Sequence, residues 1–256
     1  MRKARRGTKV AVLGLSIALA AAGVAVGERV QAGNIIVDVD GGFTPSKLPK
    51  KTLAPITLKA SADISTADGT VPPPLQQLVL NFDRNGSVQT KGLPVCTPAK
   101  LENTTSPVAR KKCKSSIVGT GTASALIAFP DQPALPASSP LTIFNGPKIG
   151  GNPSVVIHAY LTIPAPTTFV IPSAITKTKG RYGYRVVSNI PPIAGGYGSL
   201  THFDFKIHKI WKVKGKRVSY ASAHCSDGRL QASGQFTFGD GTVMSGSVFR
   251  PCKSTG

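Results

Sequence analysis

The sequence predicts an all-β protein: an antiparallel β-sandwich, or a barrel-like variant of one, with short strands and Gly/Pro-rich loops. Three observations carry this prediction. Segment after segment is β-branched or alternates apolar with polar residues. The chain holds 27 glycines and 21 prolines, and they cluster where those segments end. Only PAKLENTTSPVARKKC (98–113) reads as helical, and Pro107 limits it to short turns.

The elements follow in chain order. NIIVDV (34–39) is a strand, and the glycines of DVDGG (38–42) read as a turn after it. LAPITLKASADIST (53–66) is rich in β-branched residues, and QQLVLNFD (76–83) places Leu78, Leu80 and Phe82 on one face. Asn85-Gly86 then suits a two-residue hairpin leading into SVQTKGL (87–93). IVGTGTASALIAF (117–129), PLTIFN (140–145), SVVIHAYLTI (154–163), TTFVIPSAIT (167–176) and YGYRVVSNI (182–190) continue the series. The last quarter reads as a four-strand meander: FDFKIHKIWKV (203–213), RVSYASAHC (217–225), LQASGQFTF (230–238) and TVMSGSVF (242–249), with Gly-containing turns between. Prolines at 72–74, 130–140 and 164–166 read as breaks in strand pairing. The stretch 130–140 is taken as a loop within one domain, residues 33–256.

The first residues predict export. MRKARRGTKV is basic without an acid, an apolar run follows from Val10 to Val26, and Val30 and Ala32 suit the −3 and −1 positions. This is the pattern of a signal peptide over residues 1–32, cut after Ala32. No later stretch is long and apolar enough for a membrane span, so none remains after cleavage. Removing residues 1–32 takes six of the 31 Lys and Arg and one of the 11 acidic residues, leaving a net charge of +15. Such an excess favours anionic partners, and for an exported chain these are anionic cell-wall polymers such as teichoic acids. No nucleic-acid module is recognisable around the basic runs ARKKCK (109–114) and KIHKIWKVKGKR (206–217), so specific nucleic-acid binding is not expected. The sequence sets no oligomeric state.

The four cysteines, Cys96, Cys113, Cys225 and Cys252, form two close pairs far apart in the chain. Without CxxC spacing a zinc knuckle or redox pair is disfavoured, and an even count in an exported chain favours disulfides. Of the three connectivities, Cys96–Cys113 with Cys225–Cys252 is preferred. In a flat meander Cys225 and Cys252 would end strands about 9.6 Å apart. A disulfide needs Cα atoms within about 7 Å, so the tail past Phe249 must curl over or its strand must pair elsewhere.

The stretch nearest to chemistry is THFDFKIHK. On a strand, His202, Asp204 and His208 share one polar face with Lys206, while Phe203, Phe205 and Ile207 face the core. Lys206 opposes a divalent ion there, so the face reads as solvated, with no metal. DVDGG lacks the ligand spacing of a calcium loop, GTGTAS (119–124) and AGGYGS (194–199) lack that of a phosphate loop, and no GxSxG occurs. No cofactor and no catalytic set is indicated.

LPKKTLAPITLKASADISTADGTVPP, KGLPVC with ARKKC and VGTGTA, IPPIAGGYGSLTHF, and CSDGRLQASGQFTFGDGT closing on FRPC resemble an uncharacterised group of exported, disulfide-containing β-proteins of soil actinobacteria. The resemblance spans nearly all of residues 33–256. It implies export and the same cysteine pairing, and no activity. The expectation is a basic protein with a binding or structural role at the cell envelope and no enzymatic activity; the alternative is a secreted hydrolase of unrecognised type.

Overall fold

The computed structural model describes residues 27–255. Its strands are β1 (Glu28–Ala32), β2 (Ile35–Thr44), β3 (Lys47–Pro49), β4 (Ala54–Pro55), β5 (Thr57–Thr66), β6 (Leu75–Asp83) and β7 (Gly86–Val88). Two short helices follow, α1 (Pro98–Leu101) and α2 (Ser106–Lys112). Then come β8 (Ile117–Ile127), β9 (Leu135–Ile149), β10 (Asn152–Leu161), β11 (Thr167–Lys177), β12 (Tyr182–Asn189) and β13 (Gly198–Ile207). The chain ends with β14 (Ile210–Val213), β15 (Lys216–Ser219), β16 (Ala221–Ala223), β17 (Arg229–Phe238), β18 (Val243–Pro251) and β19 (Lys253–Thr255).

Twelve strands form one sheet in the order β1-β2-β5-β13-β8-β9-β10-β11-β12-β6-β17-β18. Strands this numerous and this twisted curl, and here the sheet bends into a nearly closed barrel. Side chains draw its two end strands together. The Ser247 N–H donates to the Glu28 carboxylate, and Arg250 pairs with Asp40. Gly246 leaves room for Val39, whose Cγ2 would lie 2.8 Å from a Cβ at that position. The all-β class and its antiparallel pairing are those the alternation predicts.

Alternation decides which side of the wall each residue meets. Leu78, Leu80 and Phe82 of β6, Ile157 and Leu161 of β10, and Phe203, Phe205 and Ile207 of β13 line the interior. Across the outer face, β2, β5, β13 and β8 set Asp38 beside Asp63, Asp63 beside His202, and Asp204 beside Thr122. Apolar inside with charges outside is the reverse of a membrane barrel. Among the described residues no helix is long and apolar enough to cross a membrane.

Two attachments are stapled to the barrel. Residues 93–116, closed by Cys96–Cys113, lie on the outside of β9–β11 and bury Leu101 and Ala109 against Phe144 and Val156. At one end, β4-β16-β7 form a small sheet, and Leu48, Ile56, Ala223 and Leu230 pack around Cys225–Cys252. Both cysteine pairs are those expected.

Several local expectations are corrected. Gly41 and Gly42 do not turn the chain; β2 runs through them to Thr44. Asn85-Gly86 is no hairpin loop, because β6 pairs with β12 and β17, and β7 leaves the wall to pair with β16. The Asp83 carboxylate drives this exit by accepting the Asn85 N–H at 2.8 Å and the Gln231 N–H at 3.0 Å. Glycines 119 and 121 sit inside β8, within the strand expected over 117–129. A Cβ at Gly121 would overlap the Asp204 carbonyl, so glycine permits the close approach of β8 and β13.

The prolines at 136 and 140 do not stop β9. Its Leu135–Leu141 half pairs with β8, whereas the ladder to β10 begins only at Thr142. A residue without an N–H costs little where one neighbour is missing. The four-strand meander is corrected in its middle: β14–β15 and β17–β18 both keep the expected hairpin pairing, but β14–β15 stands as a separate two-stranded sheet and does not lie beside β17. Cys252 extends β18 past Pro251, its N–H donating to the Gly228 carbonyl, and the turn before Gly228 carries Cys225 back to a Cα distance of 6.0 Å. The tail then adds β19 in parallel beside β3.

The expected signal-peptide boundary conflicts with this topology. Val30 and Ala32, read as cleavage positions, lie in β1, paired with Val37 and Ile35. A cut after Ala32 would remove a strand of the sheet. Residues 1–26, which carry the basic and apolar parts of that signal, lie outside the described residues.

Candidate ligand cavity

The barrel interior contains a cavity of about 310 Å³. It exists because several inward positions are too small to fill the centre. Ala60 and Ala62 of β5, Ala123 and Ala125 of β8, and Ala232 and Gly234 of β17 all face it. Larger inward residues on the opposite strands, among them Leu141, Ile143, Ile171, Tyr184 and Val186, give it an apolar lining. The volume lies at the lower edge of the range of small-molecule sites, which are concave and mostly apolar.

The ends of the cavity differ. At one end the small sheet closes the barrel, with Ile56, Val88, Ala221 and Ala223 forming the floor. At the other, loops 67–74, 128–134, 162–166, 190–197 and 239–242 surround the interior. These loops contain Asp68, Asp131 and Asp240 and no Lys or Arg. Exposed apolar side chains stand on this rim: Leu135, Ile163, Tyr197 and Val243, with the Tyr197 ring against Phe129 at 5.2 Å. Lysines and arginines gather at the closed end instead, at 47, 50 and 51, 148, 177–181 and 209–217.

Several polar side chains along the cavity are bonded within the protein. The Ser139 hydroxyl donates to the Pro140 carbonyl at 3.1 Å and accepts the Tyr160 N–H at 2.8 Å. Ser188 pairs with Ser173 at 2.8 Å. Asp83, held as above, has its carboxyl pushed up from the usual carboxylate value by burial. Tyr220 differs. It is 3% exposed, its hydroxyl has no hydrogen-bond partner, and burial holds the phenol above its ordinary range.

The polar residues singled out from sequence lie on the outer wall and not in this cavity. His202 Nδ1 is 2.7 Å from Asp63 Oδ1, and Nε2 is 3.5 Å from Asp204 Oδ2. Thr122 donates to Asp204. His208 lies beyond Ile207, the last residue of β13, and makes a separate contact on the outside of the wall, its Nδ1 2.8 Å from Thr57 Oγ1. Phe203, Phe205 and Ile207 do face inward. Among the described residues no three His, Cys, Asp or Glu side chains converge as a metal site. Sequence reasoning missed the cavity and Tyr220. Its available signal was the run of small inward residues in KASAD, TASA and QASG, since a packed sandwich fills such positions.

Comparison with family models, curated proteins and solved structures returns no match. The two disulfides fit a non-reducing compartment.

Proposed function

We propose that this chain is an exported, disulfide-stabilised binding protein of the cell envelope whose barrel encloses one apolar small molecule. The observation that carries the reading is the cavity, whose inward positions are small on one wall and apolar throughout. A chain selected only for stability fills its interior, because unfilled volume costs contacts. The rim of Leu135, Ile163, Tyr197 and Val243 gives an apolar molecule a route in. The lysines at the closed end supply the charge for anionic cell-wall polymers, so that the loop end stays free. No nucleophile and base converge among the described cavity residues, which supports binding over hydrolysis.

The test is to purify the secreted protein from its own culture and extract it with organic solvent. One apolar compound in near-stoichiometric amount is expected, together with displacement of a hydrophobic fluorescent dye. Ala123→Trp, which fills the cavity, should abolish dye binding while the protein stays folded. Dye binding that survives this substitution would reject the cavity as the site. Sequencing the secreted N-terminus should place the cut upstream of Glu28, which keeps β1. Cell-wall co-sedimentation should weaken steeply with salt, as screened attraction does.

A further inference from the structure

The hairpin β14–β15 stands apart from the barrel wall as a two-stranded sheet at the closed end. Six of the twelve residues 206–217 are Lys or Arg, against 31 in the whole chain of 256, and no acid occurs between Asp204 and Asp227. The register sets Lys212 directly opposite Arg217, so both side chains leave the same face of the hairpin. Both are exposed, and no ion pair among the described residues includes Lys209, Lys212, Lys214, Lys216 or Arg217. Like charges facing each other across two strands destabilise a hairpin. The turn adds to this, because Lys214 takes a left-handed φ of 49° before Gly215 at 77°, a place that Asn or Asp fills with less strain.

The hairpin is nonetheless held in place. Trp211 and Val213 leave its other face. The Trp211 Nε1–H donates to the Lys91 carbonyl at 3.1 Å, and a Cβ at Gly92 would lie 3.1 Å from Val213 Cγ2. At the base, the Tyr220 N–H donates to the Lys209 carbonyl at 2.9 Å. Lysines that only keep an exposed edge from pairing need neither fixed placement nor a like charge opposite. Fixed cations facing outward match an anion, and directly opposite residues, about 5 Å apart at Cα, let an ammonium and a guanidinium grip one phosphate together. A membrane surface is a poorer match, because segments that enter it carry free apolar side chains. None of the exposed large hydrophobic residues falls within 209–219. Nucleic acid is as poor, since Trp211, the aromatic of this hairpin, packs on the protein instead of offering its ring to a base.

Building on the reading of the closed end as the surface for anionic cell-wall polymers, we infer that β14–β15 binds a linear polyphosphodiester, one phosphate held between Lys212 and Arg217 and the next near Lys214 at the tip. The experiment titrates the full secreted protein at low salt with poly(glycerol phosphate), polyglutamate, phosphatidylglycerol vesicles and oligothymidylate. Poly(glycerol phosphate) should bind most tightly, although polyglutamate carries its charges more densely. Lys212→Gln with Arg217→Gln should weaken that binding about tenfold and lower its salt slope by about one. Relief of the like-charge contact should leave this variant melting no lower than the parent. Lys111→Gln with Lys112→Gln, on α2, removes the same charge and should weaken binding about twofold at most. Equal losses in the two variants, or tighter binding of polyglutamate, vesicles or oligothymidylate by the parent, overturns the inference and leaves the salt-dependent attachment to cell walls in place. A parent that binds neither poly(glycerol phosphate) nor purified cell walls at low salt overturns the envelope reading itself. The parent comparison decides the matter even if a variant does not fold.

Discussion

Strands β9 and β10 face two different worlds. Toward the lumen they present Ile143, Val155 and Ile157, which border a cavity. Toward the outside they present Phe144, Val156 and His158, all fully buried beneath the Cys96–Cys113 segment. The outer contact is packed and tied down: Arg110 Nε donates to Thr142 at 2.9 Å, the Asn145 amide donates to the Pro94 carbonyl at 3.0 Å, and the Cys96 N–H donates to the Asn145 carbonyl at 2.9 Å. A barrel with space at its centre forgoes part of the burial that normally stabilises a domain. Here dense packing outside the wall offsets that loss, so the lumen is free to serve a ligand.

The sharpest test sets one aromatic against another. Phe144→Ala should cost about 3–5 kcal/mol, because its pocket under the helices cannot collapse. Phe205→Ala should cost less, because Phe205 is only partly buried and already borders the cavity. Denaturant melts of both variants measure the difference. Equal costs would mean that the barrel interior is packed as tightly as the cap.

Removing the Cys96–Cys113 bridge comes next. Its 17-residue separation corresponds to about 3 kcal/mol of loop entropy. Cys96→Ser with Cys113→Ser should lower the melting temperature and increase hydrogen exchange in residues 93–116 first. Exchange that rises evenly through the barrel would show that cap and wall are one cooperative unit.

What the sequence made legible follows from what alternation encodes. A period of two assigns the faces of β6 and β13 correctly, and spacing alone gives both cysteine pairs. Alternation does not say what lies beyond the inward face, so a sandwich core and a hollow barrel look alike in LVLNF or FDFKI. Pairing partners were equally hidden. Asn85-Gly86 has hairpin chemistry, yet Asp83, bonded to the distant Gln231 N–H, sends the chain elsewhere. The prolines of 130–140 read as breaks because the absent β10 ladder beside them is a tertiary fact. Tyr220 carries no local mark of its burial, which comes from apolar neighbours scattered between residues 93 and 207.

Small-to-large substitutions probe the same contrast in the other direction. Ala109 is fully buried under the cap, and Ala109→Leu should cost about 1–3 kcal/mol by overpacking. Ala60 faces the cavity, and Ala60→Leu should cost little or add stability, while weakening dye binding. If Ala60→Leu proves as damaging as Ala109→Leu, the lumen is not open.

The cap should also respond to pH through His158. Its Nε2 lies 3.0 Å from the Thr104 carbonyl and 3.1 Å from Thr104 Oγ1, while Nδ1 is buried without a partner. Burial holds the imidazole below its ordinary value of 6.5, and Arg110 adds to this. The groups facing it are therefore neutral or cationic. Below about 6.5 the unfolded chain takes up a proton that the folded one resists. Stability is then full above that pH and falls as pH drops toward the folded value. Asp83 works in the opposite sense, its raised carboxyl favouring the folded state at lower pH, around and below its own titration. A His158→Gln variant should flatten the slope near pH 6; an unchanged slope would place the effect on another group.

The smallest effects belong to the bare part of the outer wall. The His208 side chain is exposed and contacts the Thr57 hydroxyl, so His208→Ala should change stability by no more than about 0.5 kcal/mol. His202 bridges Asp63 and Asp204, but the Asp63 side chain is largely in solvent and screening limits such pairs to about 0–1 kcal/mol. His202→Ala should thus be slightly costlier than His208→Ala and far milder than Phe144→Ala. Added zinc should move neither melt, because His202 and His208 are six residues apart, about 20 Å along an extended chain, and Lys206 stands between them. A zinc-dependent rise in melting temperature, lost in both histidine variants, would falsify the solvated-wall reading and require His208 to come within reach of His202 and Asp204.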